Sequence, residues 1–269
     1  MLFRIAIIFL LCLCAALSAP AQTYEQCIEQ AYQAAQHDSL DKAEALYRQA
    51  LKLSPGDHRN ALVHHDLGHV QEMLYWSNTA NTKMAEEAMY NYTRAIELLP
   101  ISLPVRISRA NFHLNLKQYD KAVEDYTAAI KLSPDNTEAL NHRAFAYYQS
   151  RSYDKAMQDY KTILDRHPAD YNAALGVALV LQKTYKVSEA IRRMEFLITE
   201  HPEQAELYAV RASMYADINN LDLALVDINQ AVKLEPQNPA HLIQRADIYD
   251  KQGKTQLAKR DRTKARQLK

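Results

Sequence analysis

Glycine is nearly missing from this sequence, with only Gly56, Gly68, Gly176 and Gly253. Phosphate-binding loops and dinucleotide fingerprints need clustered glycines where backbone approaches phosphate, so this scatter argues against nucleotide-binding enzymes. Tryptophan occurs once and phenylalanine 5 times, against 17 tyrosines, most of which sit in Ala-rich amphipathic segments that read as helices. Neither charge dominates, with 32 Lys and Arg against 32 Asp and Glu. At 48% hydrophobic and 24% charged over 269 residues, the chain has the composition of a folded soluble protein, not a disordered one.

Long apolar runs are confined to the start. Arg4 supplies a positive charge, Ile5 to Leu17 is an apolar run of 13 residues, and Ala19-Pro20-Ala21 is a small-x-small cleavage site. This pattern predicts a signal peptide over 1–21 and a mature start at Gln22. A bilayer span needs about 20 apolar residues, which this run does not reach. Retained, it would tether the chain to a membrane. Leu11 and Leu13 stand where a lipoprotein signal wants a small residue before Cys12 or Cys14. Cleavage would leave Cys27 alone, so no intramolecular disulfide could form. An exported chain without disulfides suits a bacterial periplasm.

A period organises the remainder. Pro100, Pro134, Pro168, Pro202 and Pro236 are each 34 residues apart, and Pro55 ends an earlier copy. Each follows a helical pattern that proline would stop. Twelve residues before these prolines stand Ala43, Ala88, Ala122, Ala156, Ala190 and Ala224, with Ala258 in the last copy. Five before stand Ala50, Ala95, Ala129 and Ala231, with Ile163 and Leu197 as exceptions. Gly68, Ala110, Ala144, Ala178, Ala212 and Ala246 mark a third small place. Small residues at such places let antiparallel helices approach closely. Tyr47, Tyr92, Tyr126 and Tyr160 follow the first alanine by four residues and would fill the gaps. Asp41, Asp120, Asp154, Ser188 and Asp222 read as N-caps of second helices, and Asn136, Asp170 and Asn238 as N-caps of first helices, the last with Pro239 at the first helical place.

These marks resemble the tetratricopeptide-repeat family over residues 24–269. The resemblance implies an all-α solenoid of about seven helix-turn-helix units winding as a right-handed superhelix. The copies fall near 24–57, 61–102, 103–136, 137–170, 171–204, 205–238 and a capping copy at 239–269. Cys27, Gln30 and Ala34 match the pattern weakly, leaving open whether the first copy is a true repeat or a divergent cap. The family's early tryptophan is missing. About eight extra residues between Gly68 and Ala88, including Met73, Tyr75, Trp76 and Asn78, would lengthen the second copy's helices or its turn.

Arg109, Arg143, Arg211 and Arg245 each precede Asp125, Asp159, Asp227 and Asp261 by 16 residues, whereas the fifth copy has Val177 and Arg193. The two places change together, which points to an arginine-carboxylate pair inside each copy, with independent surface charges as the alternative.

The resemblance implies a concave face lined by first helices that holds a peptide or protein segment. Its groove-facing places give His65, His69, Asn111, Asn115, Asn141, Phe145, Tyr148, Leu175, Leu179 and Gln182. Some of these could instead pack between copies. The lysine and arginine clamp of chaperone-binding members is missing. His64, His65 and His69 include a metal-ligand spacing, but no cysteine is near and no third ligand is evident, so no metal or cofactor is expected. His37, Asp38 and Ser39 adjoin in sequence without the setting of a catalytic triad. No catalytic residue is expected. The segment Lys251 to Lys269 holds eight lysines and arginines and one aspartate. It reads as a polar capping helix with Leu257, Ala258 and Ala265 facing inward, or as a docking surface for an acidic partner or anionic membrane. Nucleic acid is not expected as a partner of an exported chain. The functional expectation is a scaffold or adaptor in the bacterial envelope, or an accessory subunit built into an envelope assembly.

Overall fold

The computed structural model describes residues 22–56 and 58–268. The signal segment expected over 1–21, with its cleavage at Ala21, lies outside the described residues. The described residues are all-α, built from fourteen helices in seven consecutive pairs. These are α1 (Tyr24–Gln36), α2 (Leu40–Leu53), α3 (Asn60–Ser77), α4 (Thr82–Leu98), α5 (Leu103–Asn115), α6 (Tyr119–Leu132) and α7 (Thr137–Gln149). There follow α8 (Tyr153–Arg166), α9 (Tyr171–Lys183), α10 (Val187–Glu200), α11 (Ala205–Asp217), α12 (Leu221–Leu234), α13 (Pro239–Lys251) and α14 (Thr255–Gln267). Two compact units result, one ending at Phe112 and the other beginning at His113, within α5.

In the first unit, α1 packs on α2 and α2 on α3. Cys27, Ala31, Ala43 and Ala50 are fully buried there, so the first pair closes on the same small residues as later pairs. The insertion lengthens both helices of the second pair: α3 and α4 run 18 and 17 residues, against 13 and 14 for α7 and α8. The added turns carry an aromatic cluster. Tyr75 and Trp76 lie 4.7 Å apart, and each meets buried Phe112 edge-on, at 6.3 and 6.4 Å. The Tyr92 hydroxyl donates to Glu72 Oε2 at 2.8 Å, closing the extended pair.

In the second unit each first helix packs on its own second helix and on the preceding one, as α9 does on α10 and α8. The alanines at the repeating places are buried (Ala122, Ala144, Ala156, Ala178, Ala190, Ala212, Ala224, Ala246 and Ala258), and the ring or large side chain four residues on fills the space between pairs. Gly176 has the closest approach. A Cβ there would lie 2.3 Å from Tyr160 Cζ, so only glycine admits that ring.

The turn inside each pair follows one backbone recipe. Asp38, Lys117, Arg151, Tyr185 and Asn219 have φ between 56° and 62°, and Gly253 has φ 73°. The next amide donates back into the helix, as Ser152 N does to Tyr147 O at 2.8 Å, satisfying a carbonyl left free at the helix end. The caps differ from expectation. Ser39, Gln118, Ser152, Lys186 and Asn220 hold the N-cap place of the second helices, and Asp41, Asp120, Asp154 and Asp222 sit two residues further on, inside the first turn. There a carboxylate favours the helix through its positive N-terminal end without capping an amide. Asn136, Asp170 and Asn238 do cap first helices, accepting from the amides of Ala139, Ala173 and Ala240.

Helix α14 buries Ala258, Asp261 and Ala265, while Leu257 is 42% exposed and takes no part in the inward face. Arg262 stands where Tyr126, Tyr160 and Ile228 stack in earlier copies, and it donates to Asp247 at 2.6 Å and Asp250 at 2.5 Å. A charged side chain at the stacking place gives α14 a polar far side, as the end of a solenoid requires.

Candidate protein-docking face

Three arginine-carboxylate pairs form in the second unit, each between first and second helix of one copy. Arg143 donates to both oxygens of Asp159 at 2.8 Å, Arg211 to Asp227 at 2.7 and 2.8 Å, and Arg245 to Asp261 at 2.7 and 2.9 Å. Each carboxylate is buried, and its hydrogen bonds hold the guanidinium pKa above the usual arginine value. The arginines reach further. Arg143 Nη1 donates to Thr127 Oγ1 and Arg245 Nη1 to Asn229 Oδ1 of the preceding copy. Each guanidinium also lies over the ring of the tyrosine four residues on, at 5.8 to 5.9 Å for Tyr147, Tyr215 and Tyr249. Arg109 donates to Thr93 Oγ1, whereas Asp125, buried, belongs to the second unit.

The fifth copy replaces all three members. Val177 and Leu181, buried at 2% and 4% exposure, stand for arginine and tyrosine, and Arg193 stands for aspartate.

The expected groove residues divide. Phe145 on α7 is 40% exposed, with Tyr148 half-buried one turn on, its ring 5.8 Å from Tyr153. Burial pushes the Tyr148 hydroxyl pKa up. Leu179 is half-buried and Asn115 exposed. Asn141 donates to the cap residue Asp170 at 3.5 Å, while its buried Oδ1 has no hydrogen-bond partner among the described residues. These residues present one apolar-centred face of first helices.

Leu175 and Gln182 do not belong to that face. Leu175 is 8% exposed and sits in the core. Gln182, also 8% exposed, donates to Asp217 Oδ2 at 2.6 Å and Ser213 Oγ at 3.1 Å, tying α9 to α11. Ser213, which stands 34 residues after Leu179, and Asp217 are the polar neighbours the sequence reading missed.

In the first unit, His65 is half-buried, with its ring nitrogens 2.9 Å from Asp66 Oδ1 and Ser108 Oγ. It packs between α3 and α5 and does not line an open groove. His64 Nδ1 lies 2.7 Å from Asn91 Oδ1, so neighbouring histidines have different partners. His69 is exposed and Asn111 half-buried. Among the described residues no three or more His, Cys, Asp or Glu side chains gather as a metal site, and no helix is long and apolar enough to cross a membrane.

Known proteins agree with this architecture. A family model described as TPR repeat matches residues 111–151, and one described as tetratricopeptide repeat matches 205–238. The crystal structure of a tetratricopeptide repeat protein from Parabacteroides merdae is similar with a TM-score of 0.80 and 26% identity, over 91% of this chain and 93% of that one. A thermophilic TPR protein of Thermus thermophilus shares the fold at 21% identity with a TM-score of 0.57, over 62% of this chain and 91% of its own. Human tetratricopeptide repeat protein 13 is 35% identical over 85 residues, 30% of this chain, which spans 10% of that protein's length. The repeating small residues, the helix pairs and these likenesses together establish that the chain belongs to the tetratricopeptide-repeat family.

Proposed function

We propose that the chain is a non-catalytic scaffold that holds a peptide or protein segment on the first-helix face of its second unit. Proteins of this repeat family bind protein or peptide partners, and their repeats serve as scaffolds. The observation that carries the reading here is Phe145, a large apolar side chain 40% exposed on α7, beside half-buried Tyr148 and Leu179. Surface apolar clusters rimmed by polar groups such as Asn141 and Asp217 suit a partner's apolar anchor, with hydrogen bonds fixing its register. The leader-like start supports export to a bacterial envelope, and the reading includes neither nucleic acid nor cofactor.

A pull-down from envelope extract tests this. The chain should recover a partner that a Phe145→Ala, Tyr148→Ala, Leu179→Ala variant loses, and equal recovery of every partner by both would discard the face.

The basic α14 supports a second reading, an accessory subunit of an envelope assembly. Lys259, Arg260 and Lys264 line an exposed surface that suits an acidic partner or anionic membrane. Purified alone, such a subunit would behave poorly, whereas an adaptor would be a stable monomer.

A further inference from the structure

The fifth copy has a surface that the docking face does not use. A depression of about 540 Å³ lies beside α10, lined by Leu164 of α8, Pro168, Ala174 of α9, and Arg192, Arg193 and Phe196 of α10. Its size falls within the range of sites that take one or two side chains of a ligand.

The residues at its edge break the repeat. At the places of Arg193 and Phe196, the fourth copy has Asp159 and Thr162, the sixth Asp227 and Gln230, and the seventh Asp261 and Lys264. Packing does not account for the change. The slot of the lost ion pair is filled by Val177 and Leu181, so Arg193 is not needed there. Phe196 is 66% exposed, and Arg192 has no hydrogen-bond or ion-pair partner among the described residues. Arg193 meets only Glu189 among them, at 3.9 Å. Residues that violate a local pattern without a packing gain are where function is expected.

The chemistry selects the occupant. Two guanidinium groups against the one carboxylate of Glu189, which also lines the depression, leave a positive excess, and guanidinium geometry favours carboxylates. Phe196 and Leu164 offer an apolar contact directly beside that charge. We infer that this depression is a second protein-docking site, whose occupant is an acidic peptide segment with an apolar side chain next to a carboxylate. This holds independently of the first-helix face.

Selection of a random heptapeptide phage library on the intact chain tests it. Enriched peptides should pair Asp or Glu with a large apolar residue. Synthetic copies should bind at least about tenfold more weakly to an Arg192→Glu, Arg193→Glu variant, whose exposed substitutions leave the helices intact by circular dichroism. Phe196→Ser should weaken binding and relax the apolar preference, while the Phe145, Tyr148, Leu179 variant should bind as the unmodified chain does. No acidic enrichment, or binding unchanged by charge reversal, overturns the inference. Loss in the first-helix variant alone would also overturn it while leaving the proposed function standing. So would Arg192-dependent binding to phosphatidylglycerol vesicles with no peptide enriched.

Discussion

The fourth and fifth copies solve one packing problem in opposite ways. In α7 and α8, Arg143, Tyr147 and Asp159 join the helices through a forked ion pair under an aromatic ring. In α9 and α10 the same three places hold Val177, Leu181 and Arg193, with the first two buried in the core. Both pairs fold. Buried ion pairs lose on desolvation much of what they gain by attraction, so an apolar replacement of the whole set is tolerated where loss of one partner is not. The difference also releases the fifth copy's second helix to carry surface charge that no neighbour uses.

Breaking the pair from one side is expected to have the largest effect. Arg143→Ala strands Asp159, whose side chain is 8% exposed, and should cost about 3 kcal/mol of stability in chemical denaturation. Converting the fourth copy to the fifth copy's core, with Arg143→Val, Tyr147→Leu and Asp159→Leu together, should recover most of that loss. A triple variant as unstable as the single would show that the pair itself holds the helices.

The next place to compare is where each first helix meets the preceding tyrosine. His142 contacts Tyr126 edge-on at 5.8 Å, and the equivalent Gly176 meets Tyr160. Gly176→Ala should cost about 1 to 3 kcal/mol, because the methyl group would overlap a ring only 5% exposed. At Gly68 the nearest atoms to a Cβ are 3.2 Å away, so Gly68→Ala should change stability by less than about 1 kcal/mol, helped by alanine's helix propensity. Equal losses at both glycines would remove the significance given to Tyr160.

The smallest effect is one of pH. Burial lowers the His142 pKa below its ordinary 6.5, with Glu138 opposing. The folded chain therefore favours neutral imidazole, unfolding takes up a proton, and stability falls as pH drops below about 6.5 towards the folded-state value. Thermal melts at successive pH values should show a shallower fall for His142→Gln than for the unmodified chain, and parallel curves would contradict this.

Much of the fold is legible in the sequence, because proline and small residues recur where two helix backbones touch and larger ones cannot fit. The arginine-aspartate pairs of the fourth, sixth and seventh copies are legible for a related reason, since both members change together in the fifth. The turn residue is not. Asp38, Lys117, Arg151, Tyr185, Asn219 and Gly253 share a left-handed backbone but no chemistry, because the following amide's hydrogen bond imposes the conformation. The N-caps of second helices lie two residues before the expected places because an acidic residue is favoured in the first turn as well as at the cap. Of the docking face, exposed Phe145 is accessible from family places, whereas Leu175 and Gln182 are not, since a first helix offers the same offsets to ligand and to the next first helix. Ser213 and Asp217 decide between these, and their pairing with Gln182 is visible only in three dimensions.

The account's central claim is that the first-helix face of the second unit meets a protein. Placing the photoreactive residue p-benzoylphenylalanine at Phe145, and separately at Val226, a second-helix side chain 63% exposed, compares that face with an equally accessible control in the native cell. The account predicts a discrete heavier adduct from position 145 on irradiation and none from 226. No adduct at 145, or the same adducts from both positions, would contradict it.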